Sequence, residues 1–478
     1  MSRINTNVQS LLARRILNTN IAAQNQALER LSTGLRINRG KDDPAGLIAS
    51  ETLRNAQVAI GAAIDNSHRA DSVLAVAEGS LQEISSLLLE LENLIDRSAS
   101  EAGLSSEEVA ANQLQIDAIL DSINRIADST AFGDRKLING SLEFTISGTT
   151  NSDQRISAIQ INSAKLAAGT TRTVSVDVLA ASEFAYISAV APGSGGATSG
   201  TLTIEIQGIH GTEVMSFASG TTAATMATAI NASSDLTGVS AVVSGAGGAL
   251  IMTSTTFGSD AFVSVQVLSG SVSTDTEFDE GVDGTVTING RNATVKGLTA
   301  TVSSTSLSAE LILAEDFARM AAGVGTSASF EITGGGAIFA ISPDLGLAGQ
   351  ASLGLQAVST GSLGNGVDGF LSSLGTGQTN SLDNKNYANA QRTVRAAINQ
   401  VSSLRGRIGA FQKNTLQTNI NSLAVALENI TAAESAIRDA DFAVETSALT
   451  RAQILVSSST ATLQLANAAP QNVLALLG

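Results

Sequence analysis

Apolar residues near the N-terminus recur mostly three, four or seven positions apart: Ile4, Val8, Leu11, Leu12, Ile16, Ile21, Leu28, Leu31 and Leu35. That spacing predicts an amphipathic helix, broken by Gly34 and by the run Arg39 to Pro44, because Gly and Pro both interrupt helical propagation. A second repeat at Leu74, Ala77, Leu81, Ile84, Leu88, Leu91 and Ile95 keeps strict steps of three and four, the period of a left-handed coiled-coil seam. Gly103 ends it, and Ser105 with Glu108 predicts a capping box for a third helix facing inward through Ile116, Ile119, Ile123 and Ile126. The C-terminal part carries the same pattern at Ala397, Val401, Leu404, Ile408 and Phe411. After a slip of one residue it resumes at Leu416, Ile420, Leu423, Leu427, Ile430 and Ile437. No proline lies between Pro343 and Pro470, so one long helix is expected there. The last stretch is apolar on a broader front, with Leu449, Ile454, Leu455, Leu463, Leu465, Val473, Leu474, Leu476 and Leu477. Such a face at a chain end reads as a docking element, since bare in water it would aggregate.

Between the helical ends the period falls to two. Val174, Val176 and Val178, then Leu202, Ile204 and Ile206, then Val263, Val265 and Val267 alternate with polar residues, predicting strands with one buried face. A short helix is expected over 221–234. The fold class is therefore α+β: long terminal helices paired as coiled coils, with a β-rich middle inserted between them.

Composition trims the possibilities. Among 478 residues there is no Trp or Cys and aromatics make up 3%, so cores must be built from Leu, Ile, Val and Ala, without disulfides or thiolate metal sites. A net charge of −16 makes nucleic acid and anionic membrane poor partners. No run of about 18 apolar residues suggests a membrane span. The stretch MSRINTNVQSLLARRILNTN lacks the apolar core and small-residue site of a cleavable secretory signal. Ordering roughly 40 residues at about 1–2 kcal/mol each outweighs roughly eight apolar side chains at about 1.5–3 kcal/mol each. The first helix is thus expected to need a partner.

The runs INTNVQSLLARRILNTN, LSTGLRINRGKDDPAGLIAS (Leu31 to Ser50), LRGRIGAFQKNTLQTNINSL, AESAIRDADFAVETSALTRAQIL and APQNVLALL resemble those of bacterial flagellins, in the same order, over about residues 1–140 and 385–478. The resemblance implies a subunit that polymerises into the flagellar filament. Its terminal helices would be loose in the monomer and fold on assembly. It would leave the cell unfolded through the flagellar type III export channel, without signal cleavage, and function outside the cell. Implied partners are further copies in a helical homopolymer, an export chaperone, and the filament cap and hook-junction proteins. In the middle, TTAATMATAINASS resembles the flagellin insert named for an Ile-Asn pair, here Ile230 and Asn231, with a related fragment at Thr285 to Val302. ASFEITGGGAIFAISPD and QASLGLQAVST resemble the β part of longer flagellins. The expected division is a terminal coiled-coil domain of 1–43 and 436–478, an inner domain of 44–190 and 325–435, and an outer domain of 191–324.

The residues expected to carry assembly are Leu74, Leu81, Ile84, Leu88 and Leu91 opposite Val401, Leu404, Ile408 and Leu416 to Ile430, including Leu423 and Leu427. Leu11, Leu28, Leu31, Leu449 and Leu463 are expected in the outermost pair. Arg36, Arg405, Arg407, Arg438, Asp439 and Asp441 are expected to set register, arginine being suited to it by its forked donors.

Catalytic, cofactor and metal sites find no support. The two histidines, His68 and His210, stand apart without an HExxH pattern, so neither a zinc peptidase site nor a nucleophile with a positioned base can be assembled. Asp275, Glu277, Asp279, Glu280 and Asp283 fail the calcium-loop order, with Glu280 where glycine is required and Val286 where glutamate is, and read as a solvated acidic loop. The sequons at Asn231 and Asn429 carry little weight. Serines and threonines of the outer domain are candidate O-glycan carriers by resemblance. Flagellins read by the vertebrate innate receptor carry arginines after the EGxLxEI motif. Here Glu90 and Glu92 stand there while Leu88 and Leu94 are kept, which predicts weak receptor signalling. Two rival readings are a hook–filament junction protein, which shares the end-helix logic, and a filament-displayed adhesin or glycan-binding protein. The adhesin calls for clustered exposed aromatics, and the middle offers Tyr186 and a few Phe.

Overall fold

The computed structural model describes residues 6–100, 103–148, 155–167, 169–190, 197–244, 248–274, 277–320, 327–366 and 368–474, with side chains to 468 other than that of Val190. Ile4, Asp275, Leu476, Leu477 and the side chains of Val473 and Leu474 fall outside that description. Helices in chain order are α1 Val8–Thr33, α2 Pro44–Ser98, α3 Ser106–Ser129, α4 Ala223–Ala232, α5 Ser234–Thr237, α6 Glu315–Ala318, α7 Tyr387–Ala410, α8 Thr418–Arg438 and α9 Phe442–Leu474. The chain divides into two compact units, one of residues 1–70, 340–345 and 413–478, the other of residues 71–339 and 346–412.

In the second unit the leucine repeat does what its period predicts. Leu74, Ala77, Leu81, Ile84, Leu88, Leu91 and Ile95 of α2 are buried, as are Ile116, Ile119 and Ile123 of α3 and Val394, Ala397, Val401, Leu404 and Ile408 of α7. Helices α2 and α7 run antiparallel, tied by Gln391 to Asp96 at 2.6 Å, Arg395 to Glu92 at 2.8 Å and Gln412 to Asp71 at 3.0 Å. The capping box of α3 is present: the Glu108 amide donates to Ser105 Oγ at 3.3 Å and the Ser105 amide to Glu108 Oε2 at 2.8 Å. Gln113, buried on α3, donates to the Leu374 carbonyl and accepts from the Leu382 amide, both at 2.9 Å, satisfying an amide that burial would otherwise penalise.

The one-residue slip has a structural cause. Residues Phe411–Gln417 form a π-helical segment between α7 and α8. Ile408 and Leu416, both fully buried, are one residue farther apart than a heptad allows, and the wider turn takes up the extra residue.

The β part holds two antiparallel sandwiches. In the first, Thr285–Ile288, Arg172–Ala180, Ser327–Gly335 and Phe144–Ser147 are neighbours in one sheet, with Thr299–Ser303, Leu307–Leu313 and Ile156–Ala164 in the other. Val174, Val176, Val178, Leu311 and Phe330 fill its core. In the second, Phe184–Val190, Ala249–Phe257 and Val239–Ser244 face Phe262–Ser269, Leu202–Gly208 and Thr212–Phe217, with Met226 and Ile230 of α4 closing the core. Two of the three expected alternating sets are wholly buried. In the third, Val267 is only partly covered. The chain enters the second sandwich at Phe184 and has left it by Thr285, so the strands of 285–313 pair with those of 156–180.

The acidic stretch is more than a solvated loop. Asp283 accepts from Ser259 Oγ at 2.6 Å and from the Ser259 and Gly297 amides at 3.2 and 2.8 Å. Burial alone would raise its pKa, but these bonds and nearby Lys296 outweigh it and hold the carboxyl below its ordinary value. Asp279 accepts from the Tyr186 amide at 2.7 Å. Both histidines are exposed.

Candidate assembly surface

The first unit pairs α1 with α9. Asn7 caps α1, its Oδ1 accepting from the Ser10 amide at 3.0 Å, and Gly34 closes it at φ 73°, its amide bonded to the Arg30 carbonyl at 2.9 Å. A left-handed residue there favours glycine. The seam between the helices runs Ser10, Ala13, Leu17, Asn20, Gln24, Ala27 and Leu31 on α1, and Glu445, Leu449, Ala452, Val456, Ser459, Leu463 and Ala466 on α9, in steps of three and four throughout. Alanines and polar residues dominate it. The pairing is antiparallel: Arg30 Nη1 meets Glu445 Oε1 at 3.0 Å, Asn20 Nδ2 donates to Ser459 Oγ at 2.6 Å, and near the chain ends Ser10 Oγ donates to Asn467 Oδ1 at 2.7 Å and Asn7 Nδ2 to the Ala466 carbonyl at 2.8 Å.

Most of the larger apolar residues of the two helices point away from this seam. Val8, Leu11, Leu12, Ile16, Ile21 and Leu28 are exposed on α1, and Phe442, Val444, Ile454, Leu455 and Leu465 on α9. Leu11 and Leu28, expected in the outermost seam, are 56% and 43% exposed, because residues one position earlier in the repeat occupy the contact. Leu31, Leu449 and Leu463 do lie in the seam, half-buried.

An elbow joins the end of α1 to the start of α9. Leu35 and Asp439 form a β-bridge, with the Arg36 amide bonded to the Arg438 carbonyl at 2.7 Å and the Ala440 amide to the Gly34 carbonyl at 2.9 Å. Arg36 Nη2 donates to the Ile437 carbonyl at 2.6 Å, and Arg438 pairs with Glu51 at 3.0 Å. Asp439 accepts from Ser435 Oγ, and Asp441 caps α9 through the Ala443 and Val444 amides at 2.8 and 3.2 Å. Asp42 tightens the preceding turn. Its bond from the Arg39 amide is the largest influence lowering its pKa, and the Asn38 amide helps, against a smaller opposing effect of desolvation. Asp43 accepts from the Gly46 amide at 2.9 Å ahead of Pro44, a residue suited to the first helical position. Arg36, Arg438, Asp439 and Asp441, four of the charges expected to set register, are therefore engaged inside the chain.

The remaining expected residues have different surroundings. Leu74, Leu81, Ile84, Leu88, Leu91, Val401, Leu404 and Ile408 are fully buried in their own bundle and leave no surface for a neighbour. Leu423 and Leu427 on α8 are half-buried, as is Arg405. Arg407 faces its own β-sheet: Gln160, with its amide oxygen turned inward, accepts from both terminal nitrogens at 3.0 and 2.6 Å. Burial draws the guanidinium pKa down, and Glu310 acts in the opposite direction. Sequence reasoning missed Ala13, Asn20, Ala27, Arg30, Glu445, Ala452, Ser459 and Ala466. The same three-four spacing would have found them had small and polar residues been admitted to a seam.

Three family patterns match the chain: the bacterial flagellin N-terminal helical region over residues 4–143, the bacterial flagellin C-terminal helical region over 391–477, and the flagellin hook IN motif over 201–256. The chain belongs to the flagellin family. Relatives of similar length include Flagellin D of Vibrio anguillarum, 29% identical over 481 residues with 99% of each chain covered. B-type flagellin of Pseudomonas aeruginosa is 29% identical over 533 residues, again with 99% of each covered. Among solved structures, FliC from Burkholderia pseudomallei is 15% identical, with 73% of this chain and 99% of that one covered, at a TM-score of 0.25, too low to compare the two folds. As a flagellin the protein is a structural, extracellular subunit of the flagellar filament. The paired terminal helices described above lie in the two matched helical regions.

Proposed function

We propose that copies bind one another through the outward faces of α1 and α9. One observation carries this: the two helices fill their mutual seam mainly with alanines and polar groups and leave Leu11, Leu12, Ile16, Ile21, Ile454, Leu455 and Leu465 in water. A buried methyl is worth about 0.8 kcal/mol and a buried leucine or isoleucine about 1.5–3 kcal/mol, so most of the available burial energy lies outside the pair. Packing against the same faces of neighbouring copies recovers it. The pair becomes firmly ordered only in the filament, consistent with export of an unfolded chain that meets its chaperone, the hook-junction proteins and the cap before it joins other copies.

Of the expected division, we propose that the inner part holds the helical bundle and first sandwich and that the surface-exposed outer part is the second sandwich, near residues 184–280. For the innate receptor, Glu92 already pairs with Arg395 and Glu90 stands exposed, an arrangement that supports weak recognition. A cell reporter that answers at ordinary flagellin doses would overturn that expectation. The assembly reading is tested by growing heat-dissociated full-length protein from short filament seeds under the electron microscope. Leu11→Glu and Ile454→Glu should stop growth while leaving the monomer's melting temperature unchanged, and normal growth of both variants would refute it.

A further inference from the structure

The apolar residues of the seam, alanines with four leucines and a valine, do not by themselves specify how α1 and α9 meet. A slide of one heptad sets aliphatic seam residues against one another again, because both helices repeat in steps of three and four. What such a slide destroys is polar matching. Glu445 has a side chain only 10% exposed, and its cation is Arg30, itself 25% exposed. A displaced register would leave that carboxylate in a dry seam without a counter-charge, a strongly penalised state. Asn20 and Ser459 would lose each other as well. A polar residue inside an otherwise apolar or small-residue seam is a known way to fix register.

The elbow adds a second constraint. Backbone bonds from Gly34 and Arg36 to Arg438 and Ala440 hold the end of α1 beside the start of α9. From those anchors, only a few residues separate Arg30 and Glu445 from the bridge. A tether that short gives the pair a high effective concentration within one chain and disfavours exchange with α9 of another copy.

We infer that Arg30 and Glu445, with Asn20 and Ser459 beyond them, are positioning residues for assembly. Pairing begins in cis at the Leu35–Asp439 elbow, the ion pair locks its register, and the seam then closes toward the chain ends. A correctly phased pair presents its outer apolar faces in the one alignment that neighbouring copies can accept. This rests on the assembly reading above.

Charge exchange tests it in full-length protein, with growth from wild-type seeds as the readout and the melting temperature of the second unit as the control for folding. Arg30→Glu and Glu445→Arg alone should each slow growth by at least about tenfold, as loss of a largely buried pair requires. The double variant Arg30→Glu/Glu445→Arg should recover to within about threefold of wild type, since the swapped pair restores the same attraction. An equimolar mixture of the two single variants should stay as slow as either alone, because each copy would still face like charges within itself. Growth of that mixture at the double variant's rate would show exchange between copies and overturn the inference. So would single variants that grow like wild type, or a double variant that fails as they do. If instead Ile454→Glu grows normally, the assembly reading itself fails, whatever the charge exchange shows.

Discussion

Two helical assemblies in this flagellin use the same three-four repeat in opposite ways. In the bundle of α2, α3 and α7, leucine and isoleucine occupy the seam and polar groups face out. In the pair of α1 and α9, alanine and polar groups outnumber the four leucines and one valine of the seam, and every isoleucine and the remaining described leucines face out. The bundle buries its seam of large apolar residues within one chain, whereas the pair leaves many of its own in water. The presence of a heptad repeat therefore does not by itself tell which residue types fill the contact.

Breaking the bundle should have the largest effect on the monomer. Leu81→Ala or Leu88→Ala should cost the second unit about 2–5 kcal/mol in calorimetric unfolding, the usual range for a buried leucine truncated to alanine. The pair should answer inversely. Ala27→Leu, which overfills a seam with room for a methyl, should weaken α1–α9 pairing by about 1–3 kcal/mol. Leu28→Ala beside it should leave pairing intact yet slow filament growth. Circular dichroism of the monomer and seeded growth separate the two, and equal behaviour of the neighbouring variants would erase the distinction. Smallest is a pH effect confined to the second unit. Half-burial raises the Glu143 pKa from its ordinary 4.5, against a weaker opposing bond from the Ala357 amide. The folded state therefore loses stability as pH rises from the ordinary value through the raised one, and the loss persists at neutral pH. Glu143→Gln should raise the melting temperature at pH 7 and leave it unchanged well below pH 4. A variant that melts like wild type at both pH values would show that Glu143 is not desolvated.

Much of this organisation was legible in the sequence. The α2 seam, the Ser105–Glu108 box and the alternating valines of 174–178 follow from local periodicity, and the slip before Leu416 marked the π-helical segment without naming it. The α1–α9 seam was hidden because large apolar residues define the visible stripe, and in α1 most of that stripe is exposed rather than in the seam. Leu11 was assigned to the wrong contact for this reason, and Ala13 was passed over. The pairing of Thr285–Ile288 with Arg172–Ala180 inside the first sandwich escaped because it spans more than a hundred residues, beyond any local signal. Arg407 and Arg438 make their contacts inside this chain, and whether an arginine anchors its own chain or a neighbour's cannot be read from spacing.

The π-helical segment at Phe411–Gln417 also sets where the chain tolerates changes in length. Deleting one residue inside it would convert the wide turn to an ordinary one and leave every later side chain pointing as before. The same deletion near Ala397 would swing everything downstream, up to the next break, by about 100°. Natural variants of this flagellin that differ by a single residue in this helix should therefore have their gap at 411–417.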